Sequence, residues 1–272
     1  MLHKDLALVT SGGGMTCAYS VGSMLALKDI GITTPAWAIG SSGSTGTLSY
    51  YVSGQYHCFR NIWEKLLSVK EFINFRRVIR IIDIDYLIDQ VFKKLDPLDV
   101  EAVKKSPTEL LIATTNYKTG LIRYFSNREN VDIFEALRAS KAMPVVYGKK
   151  IVLDGEFYID GALVGSIAVN MREALRRGAQ KIIVIHNNTS TPFWGFANKV
   201  TSFCLPKNVS RVMRSTSEDP LAIKASGVKI IHIRPSRPLQ VSLLDNNQGH
   251  VKTTIDMGYS DIIANKQLRE YL

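Results

Sequence analysis

The sequence predicts an α/β fold with helical crossovers between the strands of one sheet, and three observations carry that expectation. Short aliphatic runs alternate with helix-period segments along most of the chain, glycine-rich turns close the first two runs, and the composition can bury a large core. The 272 residues are 46% hydrophobic and 21% charged, which excludes a disordered or collagen-like chain. No linker interrupts the pattern, so a single domain over residues 1–272 is expected.

Residues 6–10 (Leu-Ala-Leu-Val-Thr) read as the first strand, closed by Ser11-Gly12-Gly13-Gly14 ahead of a helix through Lys28. Residues 36–39 read as the second strand, closed by Gly40 and followed by a Ser/Gly cluster and another helix. The stretch 60–97 reads as mostly helical. There Phe72, Phe75, Ile79 and Ile82 are interleaved with Arg76, Arg77 and Arg80, the pattern of a helix packed on the sheet or of an interfacial lid that meets lipid. Residues 110–114 and 121–126 pair around Thr119-Gly120, and residues 151–153 and 156–159 flank Asp154-Gly155, a strong hairpin signal. Residues 181–185 and 229–233 complete the set as buried strands.

The formal charge is +10, from 34 Lys plus Arg against 24 Asp plus Glu. Positions 172–214 hold eight basic residues against Glu173 alone, a local net of +7. Such a stretch either draws in polyanions or forms a solvated face. No nucleic-acid-binding motif accompanies it, so anionic lipid is the expected partner rather than nucleic acid. Phe193, Trp194 and Phe196 lie inside the stretch and read as headgroup anchors or as a buried loop cluster. Cys17, Cys58 and Cys204 are odd in number and widely spaced, which suggests neither a disulfide framework nor a zinc site and fits a reducing cytoplasm. With no signal-peptide core and no run of about 18 apolar residues, the expectation is a cytoplasmic protein, soluble or seated at a membrane surface.

Two strand-to-helix turns within the first 46 residues could do chemistry. Gly12-Gly13-Gly14 stacks unhindered N–H groups at a helix start, suited to a phosphate or a developing oxyanion. Ser42 sits two residues beyond Gly40 and directly before a helix, the placement of a nucleophile elbow and equally of an ordinary helix-start serine. Neither the dinucleotide spacing nor a phosphate-loop lysine is present. If Asp154-Gly155 makes the hairpin turn, Asp160-Gly161 is left at the far end of the strand 156–159, where active sites of open α/β sheets collect, although the roles of Asp154 and Asp160 are exchangeable at this level.

Together Gly12-Gly13-Gly14-Met15, Gly40-Ser41-Ser42-Gly43-Ser44 and Asp160-Gly161-Ala162 resemble the patatin-like phospholipase family, in small bacterial-type form. The stretch Ala139-Ser140-Lys-Ala-Met-Pro144 is similar to the family's Ala-Ser-x-Ala-x-Pro, and the resemblance covers nearly the whole chain. It implies a three-layer sandwich with a mostly parallel central sheet flanked by helices. It also implies a serine acyl hydrolase acting on phospholipids or simpler lipid esters, with no metal or organic cofactor. Ser42 and Asp160 would form the catalytic dyad, and the amides of Gly12, Gly13, Gly14 and Gly43 the oxyanion hole. The chain departs from the pattern at Thr16, where the family commonly has Arg or Lys, and at Cys17, Ser44, Ala162 and Ala168. Those departures motivate an alternative, an inactive homologue that binds lipid or a membrane surface. A second rival is a Ser–Asp–His triad, for which His186, His232 and His250 follow Asp160 in order. The two chemistries should differ in pH dependence, because an ordinary Asp titrates near about 3.9 and imidazole near about 6.5.

Overall fold

Strand β1 (His3–Thr10) is buried on both faces. Its alternation places Leu6 and Leu8 in the larger core and Ala7 and Val9 in a smaller core on the opposite side of the sheet. Strand β7 (Lys181–Ile185) does the same with Ile183 and Ile185 against Ile182 and Val184. The structure, a computed structural model, describes residues 2–77, 80–144, 146–187, 205–215 and 218–269. Phe193, Trp194, Phe196, Lys199 and Cys204 of the basic stretch, and Ile79, lie outside the described residues.

The other strands are β2 (Pro35–Ser41), β3 (Glu109–Asn116), β4 (Ile122–Ser126), β5 (Ile151–Leu153), β6 (Glu156–Asp160) and β8 (Lys229–Ile233). They form one sheet in the order β5-β6-β3-β2-β1-β7-β8, with β4 paired to β3. The pairs from β3 through β8 are parallel, while β3–β4, β3–β6 and β5–β6 are antiparallel. The Asp154-Gly155 hairpin forms as expected, both residues having positive φ, as the tight turn requires. The α-helices among the described residues are α1 (Ala18–Asp29), α2 (Gly43–Val52), α3 (Cys58–Arg60), α4 (Val100–Lys105), α5 (Ile133–Ser140), α6 (Ile167–Arg176), α7 (Lys207–Ser215), α8 (Gln248–Ala264) and α9 (Lys266–Arg269). Helices α1, α2, α5 and α8 cover the larger core and α6 the smaller one, which gives three layers. No helix among the described residues is long and apolar enough to cross a membrane.

The stretch 60–97, expected to be mostly helical, is helical only in part, and the described residues of its basic amphipathic section, 72–77 and 80–82, form no helix. A π-helical turn (Asn61–Leu66) extends α3, and a π-helical segment (Tyr86–Leu95) precedes α4, but the described residues between them, 67–77 and 80–83, form a strap of turns. Ile73 bridges Ile82, Asn74 N donates to Ile81 O at 2.9 Å, and Asp83 N donates to Phe72 O at 2.8 Å. The Asn74 side chain accepts from Arg76 N, and such an Asx turn competes with helix formation. Phe72, Ile73 and Ile82 point inward, and Phe75 stands 66% exposed.

Strand β3 aligns the two ends of the sheet that matter most. Strand β4 takes one of its edges over residues 111–115, so β2 and β6 share the other. Ser41 of β2 lies opposite Ala113, and Asp160 of β6 lies opposite the next residue, Thr114. The chain leaving Asp160 presses onto this junction, where a Cβ on Gly161 would stand 1.9 Å from Ala113 O. Gly161→Ala is therefore expected to lower the unfolding free energy by about 1–3 kcal/mol or more in urea titrations. Wild-type stability in that variant would contradict this packing.

Candidate active site

Ser42 links β2 to α2 with φ 53° and ψ −130°, a strained conformation for a residue with a side chain. Hydrogen bonds hold both of its peptide groups. Ser42 N donates to Ser140 Oγ at 3.1 Å, and Ser140 Oγ donates to Ala113 O at 2.7 Å. Ser42 O accepts from Thr45 N at 3.1 Å and from Thr45 Oγ1 at 2.8 Å. Ser44 fits where the family pattern has glycine because its hydroxyl turns back to Ser41 O at 3.0 Å.

So held, Ser42 Oγ donates to Asp160 Oδ2 at 2.7 Å, and Ala162 N donates to Asp160 Oδ1 at 2.8 Å. Asp160 is 1% exposed. Burial pushes its carboxyl up to about 6, against the opposing pull of the Ser42 hydroxyl, the Ala162 amide and the Lys141 ammonium. A serine hydroxyl aimed at a buried carboxylate of that basicity is an arrangement that permits direct proton transfer.

The glycine turn lies against this pair. Gly12 packs on the Cβ atoms of Ser42 and Ala162, and a Cβ on Gly43 would stand 2.9 Å from Gly14 O, so the two turns touch through bare backbone. Thr16, where the family pattern has a cation, instead closes the turn by bonding Gly13 O through both its N–H and its hydroxyl. Among the described residues the amides of Gly13, Gly14 and Gly43 have no hydrogen-bond acceptor, and they lie at the starts of helical turns. Met15 N differs, since it donates to Leu243 O at 3.0 Å.

Ser42 and Asp160 also line a cavity of about 280 Å³. Its walls are chiefly apolar: Phe59, Trp63 and Phe92 from the segments after α2, Ile73 and Ile82 from the strap, and Leu244 from the chain ahead of α8. Lys141 also lines it, and sequence reasoning passed over this residue as the variable position of the Ala-Ser-x-Ala-x-Pro stretch. The available signal was a lysine inside an otherwise small and apolar run. The roles of Ser140 and Thr45 in tying down the elbow were missed as well, because their partners are remote or backbone.

No histidine is hydrogen-bonded to Ser42 or Asp160 among the described residues. His186 Nε2 meets His232 Nδ1 at 2.9 Å, and His250 Nδ1 meets Asp245 Oδ2 at 2.6 Å. Burial and the neighbouring His232 and Arg234 push His186 down to about 4. The +7 stretch is also less charged in space than in sequence. Arg172 pairs with Glu218, Arg176 with Glu173, Arg177 with Glu173 and Glu109, and Lys181 with Asp5.

A family model described as patatin-like phospholipase matches residues 8–172. The uncharacterized protein YjjU of Escherichia coli (strain K12) is 25% identical over 199 residues, 70% of this chain and 55% of that protein, so the chain spans about half the length of that relative. The crystal structure of VipD from Legionella pneumophila aligns with a TM-score of 0.57 at 12% identity, covering 98% of this chain and 67% of that one, a likeness of fold. Human GIVD cytosolic phospholipase A2 aligns over 97% of this chain and 59% of its own at 13% identity, with a TM-score of 0.47. With the end of β1 through most of α6 inside the matched segment, this chain belongs to the patatin-like phospholipase family.

Proposed function

We propose that this protein is a serine acyl hydrolase of lipid esters, with Ser42 as nucleophile and Asp160 as general base. The observation that carries the reading is the 2.7 Å hydrogen bond from Ser42 Oγ to the buried Asp160 carboxylate at an apolar cavity. Ser42 Oγ attacks the ester carbonyl while its proton passes to Asp160 Oδ2. The amides of Gly13, Gly14 and Gly43, with Gly12 backing the turn, receive the negative charge that develops on the carbonyl oxygen. The alcohol or lysolipid leaves with the proton from Asp160. Water then attacks the acyl-Ser42 ester, Asp160 takes its proton, and the fatty acid departs as that proton returns to Ser42. The apolar cavity suits the acyl chain, and a phospholipid or a simpler lipid ester meets the same requirement.

The inactive-homologue alternative rests on the motif departures. Thr16 and Ser44 each satisfy a local carbonyl, Ala162 supplies an amide to Asp160, Cys17 is buried, and Ala168 is buried in the α6 core, so none of them obstructs Ser42. We place the lipid surface at the strap rather than at the 172–214 stretch. Lys70, Phe75 and Arg76 are exposed there, while Phe72, Ile73 and Ile82 of the same strap line the cavity. The cations of Lys70 and Arg76, offset in part by the exposed Glu71, flank one exposed aromatic ring, a combination that suits an anionic bilayer.

Hydrolysis of a p-nitrophenyl acyl ester and of phosphatidylglycerol should be lost in Ser42→Ala and fall about 10²–10⁴-fold in Asp160→Asn. Because the base works ionised, the rate should fall as pH drops through about 6. That limb overlaps the imidazole range, so pH alone does not separate carboxylate from histidine. His186→Ala decides it: retained hydrolysis supports the dyad, and loss restores the triad. In sedimentation with phosphatidylglycerol vesicles at low salt, Phe75→Ala should bind roughly ten- to hundredfold more weakly than wild type, in line with losing about 1.5–3 kcal/mol of apolar transfer. Equal binding by the two proteins, or none by wild type, would remove the strap from the lipid surface.

A further inference from the structure

Lys141 is 5% exposed, in the turn that follows α5. Its ammonium donates to Thr45 Oγ1 and to Leu137 O, the latter at 3.4 Å. Thr45 Oγ1 in turn donates to Ser42 O at 2.8 Å. The neighbouring Ser140 holds Ser42 N. Two consecutive residues thus secure both peptide groups of the strained Ser42, Ser140 directly and Lys141 through one hydroxyl. The turn that carries them is itself anchored, since Arg138 of α5 pairs with Asp85 at 2.5 Å, with Asp89 at 2.8 Å and with Glu135 at 3.1 Å.

The same ammonium faces Asp160 from β6 and the buried Cys17 thiol from the glycine turn, the titratable groups that act on it. Burial in this apolar wall is the main influence on Lys141 and lowers it to about 7, while the charge of Asp160 opposes that shift. Burial raises the Cys17 thiol well above its ordinary range, so it stays neutral and the charge facing Lys141 is that of Asp160. A cation buried at this cost, where a small apolar side chain would pack, suits a group kept for what it does to the pair beside it.

We propose that Lys141 is a positioning residue of the Ser42–Asp160 pair, bracing the strained Ser42 backbone through Thr45 and setting a positive charge against the Asp160 carboxylate. The proposal rests on the acyl-hydrolase reading above. The brace keeps Ser42 Oγ on line with Asp160. The charge keeps Asp160 ionised at lower pH than its burial alone would allow.

The test is the pH profile of kcat/KM for p-nitrophenyl ester hydrolysis in wild type, Lys141→Met, Lys141→Gln and Thr45→Val, with Tm recorded for each. In Lys141→Met the acid limb is expected to move up by about one pH unit, as loss of a neighbouring opposite charge requires, and the rate at pH 7 to fall about tenfold or more. Lys141→Gln keeps a donor for Thr45 without the charge, so its limb moves while less of the rate is lost. Thr45→Val breaks the brace and keeps the charge, so its rate falls and its limb stays. A merely structural lysine would lower Tm and leave the limb in place. Lys141→Met and Lys141→Gln profiles that overlay wild type, with Asp160→Asn inactive, would overturn this proposal and leave the hydrolase reading standing. An inactive wild type would remove both.

Discussion

Strand β3 holds two strands end to end along one of its edges. Up to Ala113 it bonds β2, which arrives parallel, and from Thr114 it bonds β6, which arrives antiparallel. Ser41 and Asp160 therefore take adjacent positions of a shared backbone ladder, and Ser42, the next residue after Ser41, meets Asp160 although 118 residues separate them in the chain. The sheet itself holds their separation. Thr115 Oγ1 reinforces the junction by donating to Asp160 O at 2.8 Å, and Ser140 reinforces it by linking Ala113 O to Ser42 N. The hairpin β5–β6, the turn after α5 and the elbow of α2 all converge on this one edge, and the cavity opens where they meet.

The site sets stability against reactivity. Asp160 and Lys141 are both buried against apolar walls, which disfavours each charge. For Asp160 the folded value is about 6 against an ordinary 3.8. The folded chain takes up a proton that the unfolded chain does not between those values, so the burial penalty is present above about pH 6 and relieved toward pH 4. For Lys141 the folded value is about 7 against 10.5, so its penalty is present below about pH 7 and relieved toward pH 10. Both penalties coincide in the interval in which both groups are ionised. Opposite charges in mutual reach reduce the combined cost, and the remainder is stability given up for a carboxylate basic enough to accept a serine proton.

Much of the architecture was legible in sequence because it is local. Strand runs, the Asp154-Gly155 turn and the glycine turns follow from residue type and spacing, and the strand-ending positions of Ser42 and Asp160 could be read the same way. The contact between those two residues could not, because it depends on the register of two strands against a third. The strap was misread for a related reason: apolar residues at 72, 75, 79 and 82 imitate helical spacing, whereas the Asn74 turn and the inward packing of adjacent Phe72 and Ile73 decide the conformation. The charge of residues 172–214 was overstated because Asp5, Glu109 and Glu218, which neutralise part of it, lie outside the stretch. Lys141 was hidden by its place in a motif read for its small residues. The expected pH distinction between carboxylate and histidine chemistry assumed an ordinary aspartate, and burial removes that assumption.

Activation of Ser42 by Asp160 can be read from covalent labelling of the folded protein by a fluorophosphonate, mapped by peptide mass spectrometry. One adduct is expected, on Ser42, formed by wild type and absent from Asp160→Asn. Label on Ser42 that persists in Asp160→Asn, or no label on folded wild-type protein, would contradict it.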